Sequence, residues 1–214
     1  MKYRALIFWS IVAVTLLLSA LAWDRIPDTM ESHWNVRGEA DDTIPKFWGL
    51  FLMPMVLAAM VLLALLIPRI DPLKQNIALF RKYYDGFMLM VLLFMVVVHI
   101  FLILWNMGTR ISPNAIFPPA LAVLFYAIGV LCGAAKRNWF IGIRTPWTLS
   151  SDAVWEKTHR KARVLFKVAA FLILAGALLG EYTGYAVLVT IIGLVFYLVI
   201  YSYLEYRREQ QSHP

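Results

Sequence analysis

Apolar and polar positions fall along this chain in long blocks. Residues 5–23, 47–67, 86–105, 115–133, 164–179 and 185–203 are almost uninterrupted apolar runs. Several come close to the roughly 20 residues a helix needs to cross the hydrocarbon core of a bilayer. The pattern predicts an all-α, polytopic integral membrane bundle of six transmembrane helices. The first run could be mistaken for a signal peptide, because Ala20-Leu-Ala22 resembles a small-residue cleavage site. It is longer than the roughly 7–15 residues of a signal core, so a retained span ending in an interfacial Trp23 is expected. Pro54 is expected to kink the second span, and Pro118-Pro119 fall in the first turn of the fourth, where missing amide protons cost least.

The polar blocks between these runs differ in sign. Residues 24–46 carry six acids (Asp24, Asp28, Glu31, Glu39, Asp41, Asp42) against three bases (Arg25, Arg37, Lys46). Pro27, Gly38 and Pro45 punctuate this loop, and Asn35 to Gly38 reads as a tight turn. The connection 68–85 is basic, residues 106–114 form a turn, residues 134–163 are basic and aromatic, and the tail 204–214 is polar and expected to fray. Lysine and arginine concentrate on alternate sides of the spans. Both termini are therefore expected in the cytoplasm, with the acidic loop outside, in the plasma membrane of a bacterium. Four units follow. Residues 1–67 form a two-helix unit with the acidic extracellular loop 24–46, and 68–133 hold the third and fourth spans. Residues 134–163 form a cytoplasmic or interfacial loop with an amphipathic helix, and 164–214 the last two spans and the tail.

Composition agrees. Of 214 residues, 61% are hydrophobic and only 15% charged, against about 25% charged in soluble domains; mean hydropathy is +0.70. The net charge of +7 is accounted for by cytoplasmic loops without invoking nucleic acid. A single cysteine, Cys132, excludes an intrachain disulfide and any cysteine metal cluster.

Chemistry is sparse at membrane depth. His99 and Lys167 are the ionisable side chains expected within the spans, and a lone membrane histidine reads first as a helix–helix contact. There is no His-Glu-x-x-His, no Gly-x-Ser-x-Gly elbow, no pair of intramembrane carboxylates and no Walker glycine run. No enzymatic activity, cofactor or metal is expected.

Two polar constellations stand out. The outer one holds Pro27, His33, Trp34, Asn35, Gly38, Asp41 and Lys46. It reads as a structured cap, with Trp34 on the membrane surface and Lys46 snorkelling above the second span. It also suits a receptor surface for a cationic or amphipathic peptide, with tryptophan supplying area and carboxylates steering approach. His33 with Asp41 or Asp42 is a weak divalent-cation alternative. The inner constellation runs from Asn138 to Leu149 and on through Val154, Trp155, Thr158, His159 and Arg160. Residues 140–149 are too apolar to be exposed and too broken by Gly142, Arg144 and Pro146 to span, so they should dip into the interface or plug the bundle mouth. Arg144 is expected to bond helix-end carbonyls. Ser151 is a fair N-cap, and the 3–4-residue spacing from Val154 to Phe166 gives an apolar stripe leading into the fifth span. The inner stretch reads either as a structural plug or as a docking platform for a cytoplasmic protein.

Asn138-Trp-Phe-Ile-Gly-Ile-Arg-Thr-Pro-Trp-Thr-Leu149, followed by Val154-Trp155 and His159-Arg160, resembles the signature of the SdpI family, membrane immunity proteins against the sporulation-delaying toxin of bacilli. Ile26-Pro27 through His33-Trp34-Asn35, Gly38, Asp41 and Lys46 resembles a small domain that often precedes that signature. The resemblance marks Asn138, Gly142, Arg144, Thr145, Pro146, Trp147, Trp155, His159 and Arg160 as motif positions. It implies protection against a secreted, membrane-disrupting peptide and, in the founding type, capture of a small transcriptional repressor at the membrane. The expected function is thus a membrane immunity and sensing protein, its partners being the bilayer, a peptide toxin outside and a repressor inside, with no direct nucleic-acid contact. The alternative is a peptide or lipid transporter, which requires a polar cavity lined by His99, Asn106 and Arg110. A membrane hydrolase would require a water-filled pocket joining His33 to acids.

Overall fold

The computed structural model describes residues 2–212; Met1 of the basic start and residues 213–214 of the tail lie outside them. Helix α1 (Lys2–Ala22) leads through a 3-10 turn (Trp23–Arg25) into strands β1 (Thr29–Trp34) and β2 (Ala40–Pro45). Helices α2 (Lys46–Ile70), α3 (Lys74–Leu79), α4 (Arg81–Asn106), α5 (Pro113–Ala134), α6 (Pro146–Ser150), α7 (Asp152–Gly176) and α8 (Thr183–Ser212) follow. Five helical stretches are long and apolar enough to cross a membrane. The last of these, Asp152–Ser212, is two rods: Gly180, at φ +58, breaks it within a 3-10 turn (Ala177–Tyr182), and α7 and α8 fold back on each other. The protein is an all-α polytopic bundle of the plasma membrane, seated in the lipid bilayer.

The rods pack as two groups joined at α4 and α5. Phe8, Val12, Leu57, Val61, Ala64 and Leu92 fill the seam between α1, α2 and α4. Ala122, Phe125, Ala162, Ala169, Ala170, Ile173, Leu194 and Leu198 fill that between α5, α7 and α8. Lipid tails are as apolar as these side chains, so close backbone approach holds such helices together better than apolar burial does. The α5–α7 contact shows it. Gly129 and Gly133 lie one turn apart against α7, and a Cβ on Gly129 would sit 3.0 Å from the Arg163 carbonyl oxygen. On the outside, α8 turns Val189, Val195, Phe196 and Ile200 to the lipid.

Contacts gather the connections at two ends. At the basic end Arg4 pairs with Asp85, Asp71 reaches Trp139, Asn76 donates to the Arg137 carbonyl, and Ser151 donates to Glu209. At the other end the strands meet α4, and Asn114 approaches the Arg37 and Gly180 carbonyls.

Local structure departs from expectation in four places. Residues 24–46 are an antiparallel hairpin closed by the expected turn, with Gly38 at φ +83 and its N–H donating to the Asn35 carbonyl. Met30 is fully buried because Gly49 leaves room: a Cβ there would be 2.4 Å from the Met30 sulfur. The basic connection is shorter than expected, because α2 runs through Pro68 to Ile70 and α4 starts at Arg81. Residues 140–149 contain the helix α6. The tail does not fray at Leu204: α8 continues to Ser212, with buried Glu205 held by Lys157 at 3.1 Å and Arg208 at 2.7 Å.

Candidate functional site

The inner constellation folds into one hydrogen-bonded knot. Asn138, fully buried, supplies its core: its amide donates to the Lys136 and Ile141 carbonyls at 2.8 and 2.9 Å, and its oxygen accepts from the Phe140 and Ile141 N–H groups. Gly142 follows at φ +109, a conformation that disfavours any residue with a Cβ. That turn sends the Ile143 N–H to His159 Nε2 at 3.1 Å, while His159 Nδ1 sits 2.9 Å from the Trp155 carbonyl. One ring nitrogen accepts and the other donates, so His159 is the neutral Nδ1–H tautomer. Its ring stacks on Trp155 with centroids 3.9 Å apart. Trp155 Nε1 in turn donates to the Ala135 carbonyl at the end of α5, at 3.0 Å.

Beyond Gly142, Thr145 caps α6 in a reciprocal box with Thr148, and Pro146 occupies the first turn, where its missing N–H costs nothing. Thr145 Oγ1 lies 3.1 Å from Ser202 Oγ, and Trp147 packs on Tyr203 with centroids 5.0 Å apart, so α8 holds this part of the loop. Ser151 caps α7 as expected. Arg144 departs from expectation: it donates to the Trp139 carbonyl at 2.8 Å, closing its own loop rather than a helix end. Arg160 is exposed and pairs with Glu156. The structure thus brings Asn138, Gly142, Thr145, Trp155 and His159 together and leaves Arg144 and Arg160 on the surface. Sequence reasoning missed Asp71, 2% exposed, which accepts from the Leu73 and Trp139 N–H groups at 2.6 and 2.9 Å, and Asn76 and Arg137 beside it. The signal was faint: Asp71 is an isolated acid in a basic connection.

At the opposite end, His33 Nδ1 meets Asp41 Oδ1 at 2.6 Å, both largely exposed. No group of three or more metal-ligating side chains occurs among the described residues. Asn35 bonds its own turn through the Arg37 N–H, and Lys46 lies 4.7 Å over the Trp23 ring, as a snorkelling lysine would. Trp34 is half-buried and packs edge-on to Phe101 and Trp105, at 5.0 and 5.3 Å between centroids. An outward cleft of about 330 Å³ opens between the hairpin, α5 and α8, lined by Ser32, His33, Trp34, Asn35, Phe117 and Val187 among others and mostly apolar. No acid lines it, so His33 is not joined to acids by a pocket there. The polar cavity required for transport does not form from the expected residues. His99 is 2.9 Å from Ser19, Asn106 bonds the Glu31 backbone, and Arg110 pairs with the Glu31 carboxylate at 2.7 Å.

Glu31 latches the hairpin to α4. It accepts from the Trp105 indole as well as from Arg110, and these two bonds hold its carboxyl below the usual glutamate range. A carboxyl with a depressed folded-state pKa adds stability above its unfolded pKa and loses it as pH falls through the folded value. Melting temperature is expected to drop between neutral pH and about pH 3, with the Glu31→Gln variant losing less over that interval. Parallel curves would show that the latch does not titrate.

A bundle of this kind, with an interfacial knot at its basic end and a hairpin cap at the other, is a multi-pass membrane protein organised around two polar ends. Residues 134–203 match the SdpI/YfhL protein family, and residues 10–58 match a domain of unknown function, DUF1648. The DUF1648 match lies ahead of the SdpI/YfhL match along the chain. It is similar to the immunity protein SdpI of Bacillus subtilis (strain 168), at 25% identity over 197 residues, 92% of this chain and 91% of that protein. No solved structure matches.

Proposed function

We propose that this chain protects a bacterial plasma membrane against a secreted peptide toxin and reports the toxin's presence inward. The observation that carries the reading is the similarity to an immunity protein over 92% of the chain, spanning both polar ends. The positive-inside pattern supports a knot in the cytoplasm, six spans and both termini inside. The outer cleft suits an amphipathic peptide. Its walls are largely apolar, and the Trp34 ring is one of them. His33 lines the cleft and pairs with Asp41 at 2.6 Å.

The same helices join cleft and knot. Phe117 on α5 and Val187 on α8 line the cleft, while the end of α5 receives Trp155 and Ser202 on α8 meets Thr145. A peptide that binds one arrangement of α5 and α8 better than another shifts the population of the knot. A cytoplasmic repressor then reads the exposed Arg144 and Arg160.

The test is survival of a toxin-sensitive strain expressing this chain, beside His33→Ala and the cleft-filling Val187→Phe at matched membrane levels. The parent protects, and both variants lose most of that protection. A parent that gives none at verified levels removes the immunity reading. Arg144→Ala takes away one surface hydrogen bond, so it is expected to keep resistance and lose toxin-dependent recruitment of the repressor, scored with a fluorescent fusion. Equal loss of both would end the division between blockade at one end and output at the other.

A further inference from the structure

Beside the knot, and sharing Trp155, His159 and Arg160 with it, lies a cavity of about 550 Å³ walled by the end of α5, the start of α7 and the tip of α3. Four cations line it, Lys136, Arg137, Arg160 and Arg163, against two carboxylates, Asp152 and Glu156, which leaves a formal excess of two positive charges (four minus two). The carboxylates are already engaged: Asp152 with Arg137 at 2.7 Å and Glu156 with Arg160 at 3.0 Å. Lys136 and Arg163 have no ion-pair or side-chain hydrogen-bond partner among the described residues, so the excess belongs to these two.

Arg163 is exposed, yet its stem is held against α5. Its stem lies across Gly133, where a Cβ would come within 2.7 Å of Arg163 Cδ, and the bare glycine thus lets the guanidinium group line the cavity wall. The surroundings are those of a headgroup layer. Trp139 and Phe140 are exposed close by in sequence, and Leu79, 73% exposed, forms part of the lining. Along α7, Val164 and Val168 follow Arg160 at four-residue intervals and are exposed, giving an acyl chain an apolar track beside the cationic mouth.

We propose that this cavity seats the phosphate of an anionic phospholipid between Lys136 and Arg163, with one acyl chain along Val164 and Val168. Basic pockets between membrane helices on the cytoplasmic side are suited to such headgroups. A soluble phosphate satisfies the same two cations but leaves the exposed Leu79, Val164 and Val168 uncovered, which favours the lipid.

The full chain, purified in detergent, is titrated with phosphatidylglycerol, phosphatidylcholine or inorganic phosphate. Melting temperature and the number of lipids retained in native mass spectrometry are read. Phosphatidylglycerol is expected to raise the melting temperature and stay bound, and phosphatidylcholine to do neither. Lys136→Ala with Arg163→Ala is expected to weaken the effect tenfold or more, since both charge-assisted contacts to the phosphate are removed. Lys74→Ala with Arg207→Ala removes the same charge from exposed positions that do not line the cavity, and is expected to change nothing. Should the first pair melt low without lipid, Lys136→Glu alone serves, because that side chain is exposed and bonded to nothing described. The proposal is overturned by equal weakening in both pairs, by equal retention of phosphatidylcholine, or by stabilisation with inorganic phosphate to which phosphatidylglycerol adds nothing.

Discussion

Gly142→Ala is expected to destabilise the protein by about 3 kcal/mol or more and to abolish both resistance and signalling, because two independent costs fall on one added methyl group. The first is conformational. Gly142 sits at φ +109, where an alanine Cβ meets its own backbone. The second is steric. That Cβ would be 2.4 Å from His159 Nε2 and 3.2 Å from the Trp155 ring. The imidazole cannot yield cheaply, because it is stacked on Trp155 and its other nitrogen is bonded to the Trp155 carbonyl. Nor can Trp155, 2% exposed and bonded to the Ala135 carbonyl. The loop must therefore lift, and the Ile143 N–H then loses its acceptor. Gly38→Ala is the control. Its φ of +83 is also unfavourable, but the nearest atoms to its Cβ are 3.5 Å away, so only the conformational cost, roughly 1 kcal/mol, is expected. Thermal melts of the two variants in one detergent settle it, and equal losses would mean that the His159 contact carries no weight.

How far the sequence reveals this arrangement depends on the range of the interaction concerned. The spans are legible because an apolar run long enough to cross a bilayer has few other fates, and the loop charges order the ends. The α7 stripe is legible too: Trp155 and His159, four residues apart on one helical face, are both buried and stacked. The hairpin is not. Thr29–Trp34 and Ala40–Pro45 hold acids, serine and proline, with no run of β-branched residues, and their strand state comes from Met30 seating on Gly49 and Glu31 bonding Trp105 and Arg110. The partners of Trp34 are hidden for the same reason: nothing near it in sequence points to Phe101, on α4. Pairs such as Ser19 with His99, 80 positions apart, leave no local trace at all.

Asp71→Ala is the second large effect expected, and it falls on the residue that sequence reasoning passed over. Asp71 ends α2, in the first helix group, yet one carboxylate oxygen accepts from the Trp139 N–H 68 positions away, inside the knot that α5, α7 and α8 hold. The other oxygen accepts from the Leu73 N–H and shapes the turn into α3. Truncation leaves both N–H groups without their acceptor at a site 2% exposed, costing about 1–3 kcal/mol for each group that water cannot reach. Asn76, whose amide donates to the Arg137 carbonyl at 2.7 Å, is expected to loosen with the turn. These two contacts are the hydrogen bonds that tie the α2–α3 corner to the signature loop. Their loss therefore frees the loop without touching Asn138, Gly142 or His159 directly. The expected result is a protein that still inserts, melts several degrees lower, exchanges the amide protons of residues 136–144 faster, and protects cells poorly. Asp71→Asn keeps one acceptor oxygen but sets its NH2 against the other N–H group, so it should rescue only part of the loss. Full protection by Asp71→Ala at normal membrane levels would show that the knot works without its tie to the first helix group, and that immunity then rests on the outer cleft alone.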